Sequence, residues 1–299
     1  MRLCVIRKFN ATFALHLYYM KEKLISKDDV RSLHPILRGR FGNALLKMIF
    51  SITGINKVNA VYDGSKHKTG EGFTSDLLDR QNITRIVENY EVLDLFKDQP
   101  FITVSNHPFG HIDGIITVSV VAAKRKDFRM MVNWMLNRID TMEENFIGVN
   151  PYAKDSKMAD VKSSVGGVKL CLEHIRNGHP LGFFPAGGVS TSYLTYTKDR
   201  EWQTSVLKLI KKAKVPVIPM YISGTNSWLY RFLGFIDWRV RMVRLCHEVV
   251  NKKGKTIYIR FGKPITVEEQ SQFGDIKAFG EFLKGKTYEL QKERSAGVF

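Results

Sequence analysis

Val104-Ser105-Asn106-His107-Pro108-Phe109-Gly110-His111-Ile112-Asp113-Gly114 carries an apolar run into a turn marked by proline and glycine, and then into a second apolar run at 115–123. The order reads as buried strand, tight turn and helix. Working outward, further short apolar runs stand at 84–88, 101–105, 128–132, 146–149, 181–184, 215–222 and 256–261. Helix-length stretches separate several of them, notably 158–176 with Val161, Val165, Val168 and Leu172, and 201–212 with Val206, Leu209 and Ile210. Such alternation predicts an α/β fold, a single mixed and mainly parallel sheet flanked by helices.

Before the first strand the chain is basic and helical in pattern. Ser26-Lys27-Asp28-Asp29 gives an N-cap signal, and 43–50 places Leu45, Leu46, Ile49 and Phe50 on one side. A polar, glycine-bearing patch at 63–72 then predicts a boundary or exposed loop. The expected organisation is an N-terminal helical lead-in over 1–75, a main domain over 76–288 and a loosely held tail over 289–299.

The chain has 299 residues, 44% apolar and 25% charged, which excludes a disordered, collagenous or disulfide-built protein. Its net charge of +17 favours anionic partners: nucleic acid, an acidic carrier, a phosphorylated substrate or anionic lipid. Cys4, Cys171 and Cys246 are scattered, so no disulfide framework and no metal site is expected. Arg7 and Lys8 break the N-terminal apolar stretch, which argues against a signal peptide. The run 115–123 is about half of what a spanning helix needs. A cytoplasmic protein, peripheral on the inner face of the cell membrane, is the expectation.

Chemistry concentrates in the opening stretch. His107 leaves the end of a buried strand, where open α/β sheets bind ligands, and Asp113 in the first turn of the next helix can face back toward it. A carboxylate on one ring nitrogen leaves the other to take a proton from an incoming hydroxyl. The same residues also read as caps of a turn and a helix, without chemistry. His111 lies two positions before Asp113 and is expected to line the pocket or face solvent. Asn106 and Gly110 complete the turn. A second strand end, Gly182-Phe183-Phe184-Pro185-Ala186-Gly187-Gly188-Val189-Ser190-Thr191, opens a small-residue loop whose N–H groups could cradle an oxyanion, phosphate or carboxylate, or simply make a tight turn. Val215-Pro216-Val217-Ile218-Pro219 reads as a strand bracketed by prolines.

In order and spacing these three blocks resemble the glycerolipid acyltransferases of the lysophosphatidic-acid acyltransferase type, over roughly residues 76–267. The Asn-His-Pro-Phe-Gly-x-x-Asp-Gly form is similar to bacterial lysolipid acyltransferases, including those that acylate lyso-amino-acid lipids. The resemblance implies His107 and Asp113 as the catalytic pair. It implies Asn106, Gly110, Phe184, Pro185, Gly187, Gly188, Ser190 and Thr191 as the substrate-binding set. It implies an acyl carrier protein or coenzyme A thioester as donor, a lysolipid as acceptor, either lysophosphatidic acid or a lyso-amino-acid lipid, and no other cofactor. The chain departs from the family pattern at Ile112, which takes the usual aspartate place of His-x4-Asp, and at Ala186 and Val189, where a glutamate and an arginine usually stand. The segment 146–151 also lacks the family's basic residue. Lys154, Lys157 and Lys162 follow it, and read as solvated surface lysines as readily as substitutes.

The stretch 228–244 interleaves aromatic, aliphatic and arginine residues, as an interfacial membrane element or a partly buried helix pair would. Residues 43–52 are a second candidate for contact with an anionic membrane. Gly280-Glu281-Phe282-Leu283-Lys284-Gly285-Lys286-Thr287 matches a P-loop expression but lacks the preceding strand. A non-catalytic nucleic-acid-binding protein would share the charge but leaves the His/Asp turn without purpose, and no nucleic acid is expected as a partner.

Overall fold

The apolar runs become strands and the amphipathic stretches become helices, in a chain that the computed structural model describes over residues 23–32, 35–39, 41–134, 136, 139–149, 161–192, 196–236 and 238–291. In chain order the elements are α1 (Lys27–Ser32), α2 (Gly42–Thr53), α3 (Ile55–Ser65), α4 (Gly70–Arg80), β1 (Thr84–Glu88), β2 (Ile102–Ser105), α5 (His111–Lys124), β3 (Arg129–Asn133) and β4 (Phe146–Val149). There follow α6 (Val161–Arg176), β5 (Leu181–Phe183), β6 (Thr191–Ser192), β7 (Thr197–Lys198), α7 (Thr204–Ala213), β8 (Val217–Ile222), α8 (Trp228–Ile236), α9 (Trp238–Val250), β9 (Thr256–Phe261), α10 (Val267–Ser271) and α11 (Ile276–Tyr288). Among the expectations above, Cys4 with the N-terminal stretch, Asn150, Pro151, Lys154, Lys157, Asp237 and the tail at 292–299 lie outside the described residues. So do the side chains of Val161, Lys162 and Val165.

One mixed sheet of seven strands runs in the order β1-β9-β8-β2-β5-β3-β4. All its pairs are parallel except β8 with β9. Helices cover both faces, which is why the central strands are apolar on both sides rather than alternating. Along β2, Ile102 and Val104 join a core with Cys171 and Ile175 of α6, Val206, Leu207 and Ile210 of α7, and Phe279 and Leu283 of α11. On the opposite face Ile218, Met220, Ile257 and Ile259 meet Phe73 and Leu77 of α4 and Ile112 and Ile116 of α5. A separate small core of Val30, Leu37, Leu46, Phe50 and Ile55 holds the first helices.

The patch at 63–72 is not an open loop: it is the end of α3, a short turn at 66–69 and the first turn of α4. Pro219 lies inside β8 rather than at its end. β2 accepts it because the register pairs Val104 with Pro219 in parallel, and the antiparallel ladder to β9 begins only at Met220. The match at 280–287 forms the interior of α11, with Gly280 packed on Leu207, so no phosphate-binding loop exists there. The stretch 228–244 folds as the pair α8 and α9.

The topology positions the site. The chain leaves β2 for β3 on one side, and later places β5 and β8 against its two edges. β2, β5 and β8 are parallel, so their C-terminal ends open together at the point where connections diverge, the usual ligand crevice of such sheets.

Candidate active site

Asn106 follows the last residue of β2 and is buried. Its Oδ1 accepts from Ile222 N at 2.8 Å and its Nδ2 donates to Ile222 O at 2.9 Å. The side-chain amide thus stitches the end of β2 to the end of β8. His107, next along, is clamped through its backbone: its N–H donates to Asp199 Oδ1 at 3.2 Å, and its carbonyl accepts from Ser190 N at 2.8 Å. The imidazole stacks on Phe184, with ring centroids 4.1 Å apart and planes 17° apart. These contacts fix where the ring points.

Asp113 sits in the first turn of α5 with no exposure. Its Oδ2 accepts from Phe109 N at 2.8 Å and Gly110 N at 2.9 Å, and stands 2.9 Å from His107 Nδ1. The approach is off the ring N–H direction, and neither Nδ1 nor the second oxygen of Asp113 has an aligned hydrogen bond. Hydrogen bonds of catalytic pairs are often poorly aligned before substrate arrives. Between His107 and Asp113 the chain turns at Gly110, whose φ is 92°. A Cβ there would also fall 2.9 Å from Leu245 and 3.1 Å from Val189, so glycine is required twice over.

The loop after β5 forms the facing wall. Gly187 N donates to Phe184 O at 2.9 Å, Gln203 N donates to Pro185 O at 2.8 Å, and Gly187 takes a φ of 65°. Gly187 is exposed, while Gly188 and Thr191 are half-buried. Pro185 and Ser190 are buried. The Ser190 hydroxyl donates to Asp199, so it holds the loop rather than facing the crevice. His111 is solvent-accessible at the start of α5. Desolvation by the surrounding walls and then the nearby His107 ring press its pKa down.

Two residues escaped the sequence reading. Asp199 gathers His107 N, Ser190 Oγ and Trp202 Nε1 on its carboxylate, and its own N–H donates to Tyr288 Oη at 2.7 Å. Burial raises its pKa against the opposing hydrogen bonds from Ser190 and Trp202. In sequence it is one acid in a charged stretch 92 residues from His107, with no local signal. Tyr230 of α8 packs with Val189 and Leu245, which border Gly110 of the 107–113 turn; the sequence pattern of 228–244 did not point to that place.

Neither described cysteine competes as a nucleophile. Burial pushes the Cys171 thiol up to about 12 and raises that of Cys246, so the thiolate each would need is scarce near neutral pH.

A family model described as acyltransferase matches residues 57–297. A lyso-glycine lipid O-acyltransferase of Bacteroides thetaiotaomicron is 26% identical over 248 residues, covering 79% of this chain and 85% of that protein. A protein of the same description from Phocaeicola vulgatus is 26% identical over 247 residues, covering 79% and 83%. Among solved structures, the 1-acyl-sn-glycerophosphate (LPA) acyltransferase PlsC of Thermotoga maritima aligns with a TM-score of 0.46 and 18% identity, over 85% of this chain and 98% of that one.

Proposed function

The chain belongs to the acyltransferase family, and from that premise we propose that it moves an acyl chain from an acyl thioester to the free hydroxyl of a lysolipid. The observation that carries this reading is the imidazole of His107, held between a buried carboxylate and the ring of Phe184 at the mouth of the sheet. With Nδ1 turned to Asp113, Nε2 is the nitrogen left for substrate. It takes the proton of the acceptor hydroxyl as that oxygen attacks the thioester carbonyl. The carbon–sulfur bond then breaks, the departing thiolate recovers the proton from the imidazolium, and an ester and a free thiol result. Asp113 stabilises the imidazolium meanwhile. No acyl-enzyme is required.

Gly187, Gly188 and Thr191 line the acceptor side in this reading, while Asn106, Gly110 and Ser190 hold the two loops in place. The acceptor is a lyso-amino-acid lipid, a reading supported by the names of the two relatives above. The donor is carried by acyl carrier protein or coenzyme A, both acidic and both suited to a chain of net charge +17.

The enzyme works from the surface of an anionic membrane, on the cytoplasmic face. No helix among the described residues is long and apolar enough to cross one. Trp228, Phe232 and Phe235 of α8 are exposed, as are Phe41 before α2 and Met48 and Ile52 on it. α9 packs on both α8 and α2, and its Arg244 donates to Ile52 O, so the two apolar patches flank a common helix. Apolar side chains beside basic ones suit a headgroup layer.

Purified protein supplied with a lyso-glycine lipid or lysophosphatidic acid, against each thioester, tests the reading. Transfer to the amino-acid lipid is expected; no transfer to any lysolipid would refute it.

A further inference from the structure

Arg241 of α9 is only 7% exposed, yet no carboxylate among the described residues pairs with it. Its guanidinium carbon stands 5.7 Å from the centre of the Tyr230 ring, and its Nε has no hydrogen-bond partner. Tyr230 is fully buried, and its hydroxyl is likewise without a partner. Burying a guanidinium without a counter-charge is costly, as is burying a hydroxyl without a bond. Arg241 Nε and the Tyr230 hydroxyl are both donors that no described residue satisfies, and with the guanidinium lying over the ring they mark a place for an anion.

The place adjoins the reaction centre. Tyr230 packs with Val189 and Leu245, and both of these crowd Gly110 in the catalytic turn. Glu248 is close enough to act on the Tyr230 hydroxyl, but it is already committed. It accepts from Lys252 Nζ at 2.8 Å, Ser227 N at 2.9 Å and Ser227 Oγ at 2.6 Å. The loop at 184–191 carries no cation of its own. Arg200, which lies against Gly188 and also acts on the Tyr230 hydroxyl, is exposed, so Arg241 is the buried cation available to a negative charge there.

We infer that Arg241 and Tyr230 form the headgroup subsite of the acceptor, and that the group they hold is a carboxylate. The inference rests on the lysolipid reading above and gives it a specificity. A guanidinium fork with one added hydroxyl donor matches a planar monoanion, which takes two parallel N–H bonds. A carboxylate fixed there leaves the lipid hydroxyl to reach His107, and a neutral headgroup leaves both donors unsatisfied.

The test measures equilibrium binding of an N-acyl-glycine lysolipid and of its methyl ester to the full-length protein, by calorimetry, for wild type, Arg241→Met and Arg241→Lys. Wild type is expected to bind the acid at least about tenfold more tightly than the ester, the scale of a charge-assisted bond. Arg241→Met should bind both at the ester's level, Arg241→Lys should recover part of the preference, and ligand-free Arg241→Met should melt no lower than wild type because an uncompensated charge has gone. No preference in wild type, a preference intact in Arg241→Met, or a clearly lower melting temperature of Arg241→Met would overturn the inference. Arg241-dependent binding confined to lysophosphatidic acid or to coenzyme A would overturn the carboxylate assignment. Acyl transfer is scored separately. Arg241-dependent binding of the acid without transfer refutes the acyltransferase reading alone, and transfer with the preference intact in Arg241→Met refutes the subsite alone.

Discussion

At the scale of single residues, Asp113 performs two tasks with one oxygen: it closes the turn by accepting from Phe109 and Gly110, and it faces His107. Substitutions separate the two. Asp113→Asn retains an acceptor for the backbone N–H groups but lacks the charge that favours imidazolium, so kcat should fall by about 10²–10⁴ with the melting temperature nearly unchanged. Asp113→Ala removes both and should also cost about 1–3 kcal/mol in urea unfolding, because two buried N–H groups lose their partner. Equal stability of the two variants would contradict the division. His107 and Asp113 were legible because strand, turn and helix follow one another in sequence. Asp199 was not, since it reaches His107 from a distant segment and carries no local pattern; Tyr230 and Arg241 lay in a stretch whose pattern pointed to an interfacial element or a partly buried helix pair, not to a neighbour of His107.

Among elements, the central strands were legible as uninterrupted apolar runs, the signature of a sheet covered on both faces. β6 and β7 were not, because two-residue strands carry no period. The patch at 63–72 misled because its glycines suggest a loop, whereas Gly70 and Gly72 lie within the first turn of α4. Nor did the sequence reveal what joins the elements at the end of the sheet away from the site. Arg125, just after α5, donates to Phe96 O, Gln99 O, Gly178 O and both oxygens of Asp127. Burial pushes the Asp127 carboxyl up, but bonds from Arg125 and His179 outweigh it and hold it at about 2. A carboxyl depressed in the folded state stabilises above its unfolded value of about 3.9, and that contribution is lost as pH falls toward about 2. Asp127→Asn should therefore lower urea stability by about 1 kcal/mol at pH 7, after solvent screening, and the gap to wild type should close below pH 3. A gap independent of pH would show that the charge is not what joins these segments.

At the scale of the whole molecule, the proposed action at a lipid surface draws on the charge of +17 and the exposed aromatic face of α8. Replacing Trp228, Phe232 and Phe235 together by serine should lower partition onto anionic vesicles at least about tenfold, while raised salt should weaken wild-type partition by screening. Partition unchanged by the triple replacement would move the docking face elsewhere. Sequence composition gave the sign of that charge but not its placement, which depends on how α2, α8 and α9 pack. The central claim, that one imidazole at the C-terminal edge of β2 drives direct transfer, is most directly tested by His107→Ala, purified and shown by circular dichroism to be folded, in the lysolipid acylation assay. A loss of at least about 10² in kcat with the fold retained is the expected result; a folded His107→Ala protein that transfers acyl chains at the wild-type rate would contradict it.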